Sequence, residues 1–345
     1  MLMQISGLVT LQNRKIYIFV GLPPFMAFIS KKTIKGKARY YIEKSIRLSD
    51  GRVKKFSVYL KDYKPNSRLE QIRQYESQLS KKARNFLIVY AEGFYRKSGT
   101  FSKETLRALE ERKLEYRELV KKISEKQLQD VIDRFAVNFT YESNAIEGNS
   151  LTLKDVAIVL HEKKTLEGKD LHEIYETLNT REAMKLIFLN KLKVNEKDII
   201  KLHKILVKDT GVAAGYKKLP NFLLGRAVKT APPETVKEEM EALISWYHKN
   251  KDLHPLQRAA LFHGKFEKIH PFEDGNGRVG RLLINIMLIS HDYPPLIIRK
   301  THRLSYLKCL EAFDRGYEEK LNRFLIEKYK HTYEKFFRVY VKYLI

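Results

Sequence analysis

The sequence predicts a mainly α-helical protein with a short β-hairpin flap, preceded by a small basic β-hairpin segment. From about residue 66 onward, apolar side chains recur at helical spacing for most of the chain. Before that point, apolar and polar residues alternate on both sides of Asp50-Gly51, a pattern typical of a hairpin. An irregular stretch at 211–233, bracketed by glycines and prolines, interrupts the helical part and indicates the flap.

Composition narrows the range of partners. The 345 residues include 66 Lys or Arg and 41 Asp or Glu, for a formal charge of +25. This charge favours nucleic acid, phosphates, acidic proteins or a membrane surface, although a well solvated lysine-rich surface fits equally. The single Cys309 excludes an internal disulfide and a cysteine-rich metal site. A reducing cytoplasm is therefore the expected compartment.

The N-terminal residues 1–25 are predicted to be a leader or a wrongly assigned start, because Met26 offers a second start. The apolar stretch 16–30 is short and is interrupted by Pro23 and Pro24. A spanning helix needs about 20 apolar residues, so a membrane is not an expected partner. A weak membrane anchor is the alternative.

Residues 26–65 are predicted to form the basic β-hairpin segment, with two strands. Residues 1–61 contain 13 Lys or Arg against Glu43 and Asp50, an excess of 11. Nucleic acid could bind through residues 26–61, where four aromatic side chains are available for stacking: Tyr40, Tyr41, Phe56 and Tyr59. The alternative is that the lysines only protect exposed strand edges from unwanted pairing.

Helical spacing then predicts a helical N-terminal region at 66–135 and further helices at 153–161, 171–189 and 196–208. The flap is placed near 221–232, and a helical tail is predicted at 331–345.

The stretch 270–281, "HPFEDGNGRVGR", contains the residues that indicate a reactive site. The dipeptides Asp274-Gly275 and Asn276-Gly277 predict tight turns before a helix that begins near Gly277 or Arg278. Free N–H groups and the positive dipole end of a helix favour an anion, and glycine allows a phosphate to approach the backbone closely.

Charged groups surround this predicted phosphate site. Arg278 and Arg281 are three residues apart, so both could reach the same anion. Asp274 is a hard oxygen ligand suited to Mg²⁺, and His270 could accept a proton near neutral pH. Such a site would carry out phosphoryl-type transfer. The alternative is an ordinary turn with solvated arginines and a packed histidine, which fits each residue singly but not the set.

These residues match, at every specified position, the signature His-Pro-Phe-x-Asp/Glu-Gly-Asn-Gly-Arg-x-x-Arg, so the sequence resembles the Fic family over about residues 100–330. The resemblance implies a Fic-type helical core, with the catalytic domain at 136–330 including an inhibitory helix. It also implies transfer of AMP from ATP to a hydroxyl of Ser, Thr or Tyr on a target protein, which could be the protein itself.

The resemblance assigns roles by position. His270 would deprotonate the target hydroxyl, and Asp274 would hold Mg²⁺ on the α- and β-phosphates of ATP. The anion-binding loop would comprise Gly275, Asn276 and Gly277. The distal phosphates would bind Arg278 and Arg281, while Pro271 and Phe272 would be structural, with Phe272 a core anchor. The flap would align the target backbone by strand addition.

A second motif lies upstream in "SNAIEGNSLTL", where Ser143, Glu147 and Gly148 match the inhibitory pattern Ser/Thr-x-x-x-Glu-Gly/Asn of the family. A helix at about 129–146 would present Glu147 to Arg281 and remove the cation that the γ-phosphate needs. The alternative is a local helical pair or a helix cap. Glu147 could also position a water that removes AMP.

Two other functions stay open from the sequence. Gly277 argues against family members that have lysine there and act as kinases, and less strongly against UMP or phosphocholine transfer. A nucleic-acid-binding regulatory protein with a Fic core is the alternative from another class.

Overall fold

The computed structural model describes most of the chain, namely residues 27–48, 51–61, 69–162, 168–221 and 229–345. The predicted leader at 1–25 and residues 222–228 of the predicted flap lie outside these residues. The described part is mainly helical with a small antiparallel sheet at its N-terminal end, which confirms the predicted fold class.

The sheet has three strands, β1 (Phe28–Ile34), β2 (Lys37–Arg47) and β3 (Val53–Tyr59), in the order β1-β2-β3 and antiparallel throughout. The prediction of two strands was wrong because it missed β1. Lys35 and Gly36 join β1 to β2 with φ angles of 52° and 73°, the left-handed conformation of a two-residue hairpin turn. The lysines of β1 hide its apolar alternation.

One face of the sheet packs on helix α1 (Leu69–Phe94). Ile42, Val58 and Leu60 contribute its small apolar core together with Leu79 of α1. This packing fixes which face of the sheet is turned outward.

The helices that follow form the body of the protein. They are α2 (Lys103–Val120), α3 (Glu125–Ile146), α4 (Leu153–Glu162), α5 (Leu171–Phe188), α6 (Glu196–Leu206), α7 (Val236–Lys249), α8 (Pro255–Ile269), α9 (Asn276–Ile289), α10 (Arg303–Asp314), α11 (Glu318–Thr332) and α12 (Arg338–Leu344). A 3₁₀ turn at Lys300–His302 precedes α10, and a π turn at Tyr333–Phe337 precedes α12.

Helix α3 begins earlier than the predicted 129, at Glu125. Ser124 and Gln127 form a reciprocal capping box, which satisfies two of the N–H groups that a helix start leaves without partners. The helix ends at Ile146, so Glu147 is its C-cap residue, and Gly148 follows with φ +108°. The predicted inhibitory motif therefore lies at the C-terminal end of a well-defined helix.

Helices α8 and α9 lie at the centre of the body, and almost all their side chains are buried. Leu256, Phe262 and Phe266 of α8 and Leu282 of α9 are fully buried in the main core. A helix that is buried on all sides is surrounded by other elements. The loop joining α8 to α9, residues 270–275, is thus held at both ends by the most buried part of the protein.

Among the described residues, no helix combines the length and apolarity needed to cross a membrane. Most of the apolar stretch 16–30 lies outside those residues.

The close approach of α8 to α10 gives a first prediction. A Cβ atom added at Gly264 of α8 would lie 2.5 Å from the ring of Phe313. Overpacking a rigid core costs about 1–3 kcal/mol, so Gly264→Ala should lower the free energy of unfolding by that amount in urea denaturation.

The matched control is Gly93→Ala, also in a helix, where an added Cβ would have no atom within 4 Å. It should leave the protein unchanged or stabilise it by up to about 1 kcal/mol. Equal effects at the two glycines would contradict the packing described here.

Candidate active site

His270 ends helix α8 in the left-handed conformation, with φ 52° and ψ 61°. Its backbone N–H donates to the carbonyl of Phe266 at 2.9 Å as a last helical bond, and the left-handed backbone at His270 then turns the chain out of the helix. The side chain is 16% exposed, and its Nδ1 lies 3.9 Å from Oε2 of Glu267. A non-glycine residue rarely adopts this conformation, so the surrounding packing fixes the direction of the imidazole.

Phe272 is fully buried, as predicted for a core anchor, and its ring stacks on His203 with centroids 3.9 Å apart. Asn276 holds the same residue from the other side: its Oδ1 accepts the Phe272 N–H at 2.9 Å, and its Nδ2 donates to the Phe272 carbonyl at 2.8 Å. The Asn276 side chain, predicted to line the anion-binding loop, is therefore engaged in holding the loop. Its backbone N–H remains at the helix start.

His203 of α6 is a second support for the loop. Its Nδ1 accepts the N–H of Gly215 at 3.1 Å, so its Nε2 carries the proton and donates to the Asp274 carbonyl at 3.0 Å. Burial lowers the pKa of His203 to about 4, so the ring is neutral at physiological pH. Sequence reasoning missed this residue because nothing in its spacing links it to residues 270–281.

Helix α9 begins at Asn276, one residue earlier than the predicted start, after Gly275 with φ 76°. No side chain of the described residues caps this end. The first N–H groups and the positive end of the helix dipole therefore face the loop, which is the arrangement that binds anions.

Arg281 lies in the first turns of α9 with its side chain only 2% exposed. Its Nε donates to Oγ of Ser143 at 3.0 Å and its Nη2 to the carbonyl of Ser143 at 2.8 Å. Its Nη1 lies 2.7 Å from Oε1 of Glu147. Burial works against the charged guanidinium, but the carboxylate of Glu147 overcomes it and raises the pKa of Arg281.

The carboxylate of Glu147 also lies against the helix N-terminus itself. A Cβ atom at Gly277 would collide with Oε1 of Glu147, so this oxygen occupies the space directly over the backbone of the first turn. The side chain of Glu147 is 40% exposed and can leave without unpacking the core. A protein carboxylate thus occupies the space in which a phosphate would approach this glycine.

Arg278 has different partners. Its side chain is 3% exposed and is paired with Oε1 of Glu176 at 2.6 Å and with Oδ2 of Asp274 at 2.9 Å. Arg278 and Arg281 are each paired with different carboxylates here, and their binding to one shared anion stays a prediction. The ion pair with Glu176 holds the side chain of Arg278 against α5.

Glu176 was missed from the sequence, since it lies in α5 with no motif around it. Its Oε2 accepts from Nδ2 of Asn149 at 2.9 Å, in the segment just after the inhibitory motif. One turn earlier, Glu173 accepts from the backbone N–H and the hydroxyl of Ser150. Helix α5 therefore joins Arg278 to the chain that follows Glu147.

The flanks of the predicted flap lie beside His270. The N–H of Lys217 donates to the carbonyl of Pro271 at 2.9 Å, and the N–H of Ala231 donates to the carbonyl of Ile269 at 3.2 Å. Residues 222–228, which include most of the predicted flap, lie outside the described residues.

A magnesium ion at the N-terminus of α9 would have one carboxylate ligand, that of Asp274. In the part of the chain that the structure describes, no group of three or more His, Cys, Asp or Glu side chains is arranged to hold a metal. The side chain of Asp274 is 55% exposed beside the helix N-terminus. One exposed carboxylate suits Mg²⁺ that is otherwise bound by phosphate oxygens and water.

Comparison with known proteins identifies a family that part of the chain matches. Residues 193–288 match the model of the Fic/DOC family. Protein adenylyltransferase Fic of Nematostella vectensis is 36% identical over 184 residues, which are 51% of this chain and 43% of the relative. Protein adenylyltransferase Fic of Drosophila virilis is 35% identical over 193 residues, 54% of this chain and 40% of the relative. The chain therefore matches less than half the length of these curated relatives.

Solved structures of Fic proteins have a fold similar to that of this chain. A Fic domain-containing signaling protein from Bacteroides thetaiotaomicron gives a TM-score of 0.63 at 26% identity, over 70% of this chain and 98% of that one. Fic-1 from C. elegans gives a TM-score of 0.56 at 21% identity, over 78% of this chain and 87% of that one, which shows the fold. The chain carries a Fic domain, and the resemblance drawn from residues 270–281 is confirmed.

The buried pair between Arg278 and Glu176 gives a second prediction. Glu176→Ala would leave the buried charge of Arg278 with only the half-exposed Asp274 as counter-ion, so it should lower the free energy of unfolding by on the order of 3 kcal/mol. Urea denaturation measures this change.

The control is the identical change at Glu182 on the same helix, whose side chain is 54% exposed and lies 3.9 Å from Lys185. Glu182→Ala should change stability by less than about 0.5 kcal/mol. A small effect at both positions would contradict this prediction and would show that Asp274 alone compensates the buried charge of Arg278.

Proposed function

We propose that this protein is a self-inhibited adenylyltransferase that transfers AMP from ATP to a hydroxyl side chain of a target protein. The observation that carries the proposal is the pairing of Glu147 with Arg281 at the N-terminus of α9. The complete motif at 270–281 and the names of the curated relatives support the same activity.

His270 is the proposed general base. It lies at the end of α8, partly exposed, beside the flanks of the flap where a target segment would lie. It takes the proton from the target hydroxyl as the hydroxyl oxygen forms a bond to the α-phosphorus of ATP. The bond between this phosphorus and the bridging oxygen breaks, and pyrophosphate leaves.

The N-terminus of α9 is the proposed phosphate site. Backbone N–H groups at Asn276 and Gly277 face the phosphates, and Gly275 lets them approach. Mg²⁺ held by Asp274 would supply further positive charge when bound. Arg278 is proposed to bind distal phosphate, for which it exchanges a carboxylate partner.

The proposed inhibition follows from the geometry of Arg281. Ser143 occupies the Nε and Nη2 groups and fixes the plane of the guanidinium, while Nη1 is paired with Glu147. The γ-phosphate of ATP requires the same cation, so Glu147 and the γ-phosphate compete for it. Departure of Glu147 would leave Arg281 correctly oriented because Ser143 still holds it.

The same site could serve related reactions. Glu147 could position a water to remove AMP from a modified protein, and UMP transfer is the alternative nucleotide chemistry. The target could be the protein itself or another protein. We also propose a cytoplasmic location, which the single Cys309 supports.

Labelling with α-phosphate-labelled ATP and Mg²⁺ tests the proposal. Glu147→Ala should increase labelling of itself or an added cell extract by roughly tenfold or more, since a hydrogen bond to a charged group contributes about 1.5–3 kcal/mol. Adding His270→Ala to this variant should abolish the labelling.

Glu142→Ala is the matched control. Glu142 lies on α3 five residues before Glu147, but its carboxylate accepts from the N–H of Lys300 rather than from Arg281. It should label at the level of the unchanged protein. Absence of label in Glu147→Ala, with ATP or any other nucleoside triphosphate, would refute the transferase, and equal activation by Glu142→Ala would refute the inhibitory contact.

A further inference from the structure

The N-terminal sheet has one face packed on α1 and one face turned to solvent. The outer face is defined by the side chains of Phe28, Lys32, Lys37, Arg39, Tyr41, Lys55 and Tyr59. Phe28 and Tyr59 are 50% and 45% exposed, which is high for large apolar side chains. The catalytic reaction proposed above uses none of them.

Aromatic rings and cations alternate across this face. Tyr41 and Tyr59 are direct neighbours on β2 and β3, with ring centroids 5.4 Å apart. The ammonium of Lys32 lies 4.6 Å from the ring centroid of Tyr41, and the guanidinium of Arg39 lies 5.9 Å from that of Tyr59. Lys55 lies 5.7 Å from the ring of Phe28 in the same way. Each of these three rings therefore has a positive charge close to it.

The charged side chains of the three strands are almost all positive. Among the described residues of the three strands, Glu43 is the only acid; it is 1% exposed and is paired with Lys32 at 2.8 Å and with Lys55. Residues 27–61 contain eleven Lys or Arg against Glu43 and Asp50. The exposed charge of the face is thus positive, and its one carboxylate is already neutralised.

Protection of strand edges does not explain this arrangement. Arg39 and Tyr41 lie on β2, the central strand, where both edges are already paired. An acidic protein or an anionic membrane would use the cations, but two tyrosines directly opposite each other on neighbouring strands suit successive bases of one nucleic-acid strand. Rings give stacking surfaces for bases, and cations beside them meet the phosphates.

We propose that the outer face binds single-stranded nucleic acid. Two unstacked bases lie against Tyr41 and Tyr59, and Arg39, which now lies over the ring of Tyr59, turns to the phosphates while Lys32 keeps its ion pair with Glu43. A duplex keeps its bases stacked on each other and cannot use the rings, so single strands are preferred.

Fluorescence anisotropy of the full-length chain with labelled single-stranded RNA and DNA of about 12 nucleotides tests this proposal. With about four phosphate contacts, the affinity should fall ~50-fold between about 50 and 200 mM salt. Tyr59→Ala should weaken binding at least about fivefold without changing the salt dependence, because it removes stacking and no charge.

The double variant Lys37→Gln with Arg39→Gln should instead reduce the slope of log affinity against log salt by roughly 1.4. Changing Lys37 and Arg39 leaves the ion pairs of Glu43 with Lys32 and Lys55 intact. Matched controls lie far from the sheet in sequence: Tyr343→Ala, at a tyrosine 88% exposed, and Lys208→Gln with Lys237→Gln, at side chains 72% and 71% exposed.

Melting temperatures equal to that of the unchanged protein show that the variants are folded. The proposal is overturned by absence of binding to both single strands at low salt, by equal binding of a duplex, or by equal losses in the control variants. Loss of binding in the charge variant with full retention in Tyr59→Ala would identify a general anion-binding surface, as for an acidic protein or lipid, and would also overturn it.

Discussion

The buried charge of Arg281 is the constraint on which the site depends. Its guanidinium lies almost completely inside the protein at the N-terminus of α9, and a buried charge without a counter-ion is costly. Glu147 supplies the counter-ion in the structure described here. The proposed inhibition therefore exchanges one anion for another at a fixed cation, and no rearrangement of the core is needed for it.

The other buried arginine extends this constraint to α5. Arg278 is paired with Glu176, and Glu176 also binds Asn149, two residues after Glu147. The segment that places Glu147 is thus attached to Arg278, the other arginine of the predicted phosphate site. Arg303 adds a third attachment, since its Nε donates to the carbonyl of Ile146 at 2.7 Å. The position of the Glu147 carboxylate is therefore set by contacts from α5, α9 and α10.

The sequence was sufficient for features that depend on local chemistry. The Asp-Gly and Asn-Gly turns predicted a helix start near 277 or 278, and α9 begins at Asn276. The inhibitory motif predicted a contact between Glu147 and Arg281, and the structure contains that ion pair. The N-terminal end of α3 was placed too late because the capping box at Ser124 and Gln127 was overlooked.

Features that depend on long-range contacts could not be predicted. Glu176 and Arg278 are far apart in the chain and meet only because α5 packs against α9. His203 acquires its role through stacking on Phe272 and a bond to the Asp274 carbonyl, neither of which has a sequence pattern. Asn276 was expected beside an anion, but its amide bonds the backbone of Phe272 because both groups are buried together.

Calorimetric binding of ATP and AMP to the unchanged protein and to Glu147→Ala tests the central claim most directly. If Glu147 occupies the position of the γ-phosphate, the variant should bind ATP at least about tenfold more tightly, because a hydrogen bond to a charged group becomes available to the nucleotide. AMP, which lacks that phosphate, should gain less than about twofold. An equal gain for both nucleotides, or none for ATP, would contradict competition at Arg281.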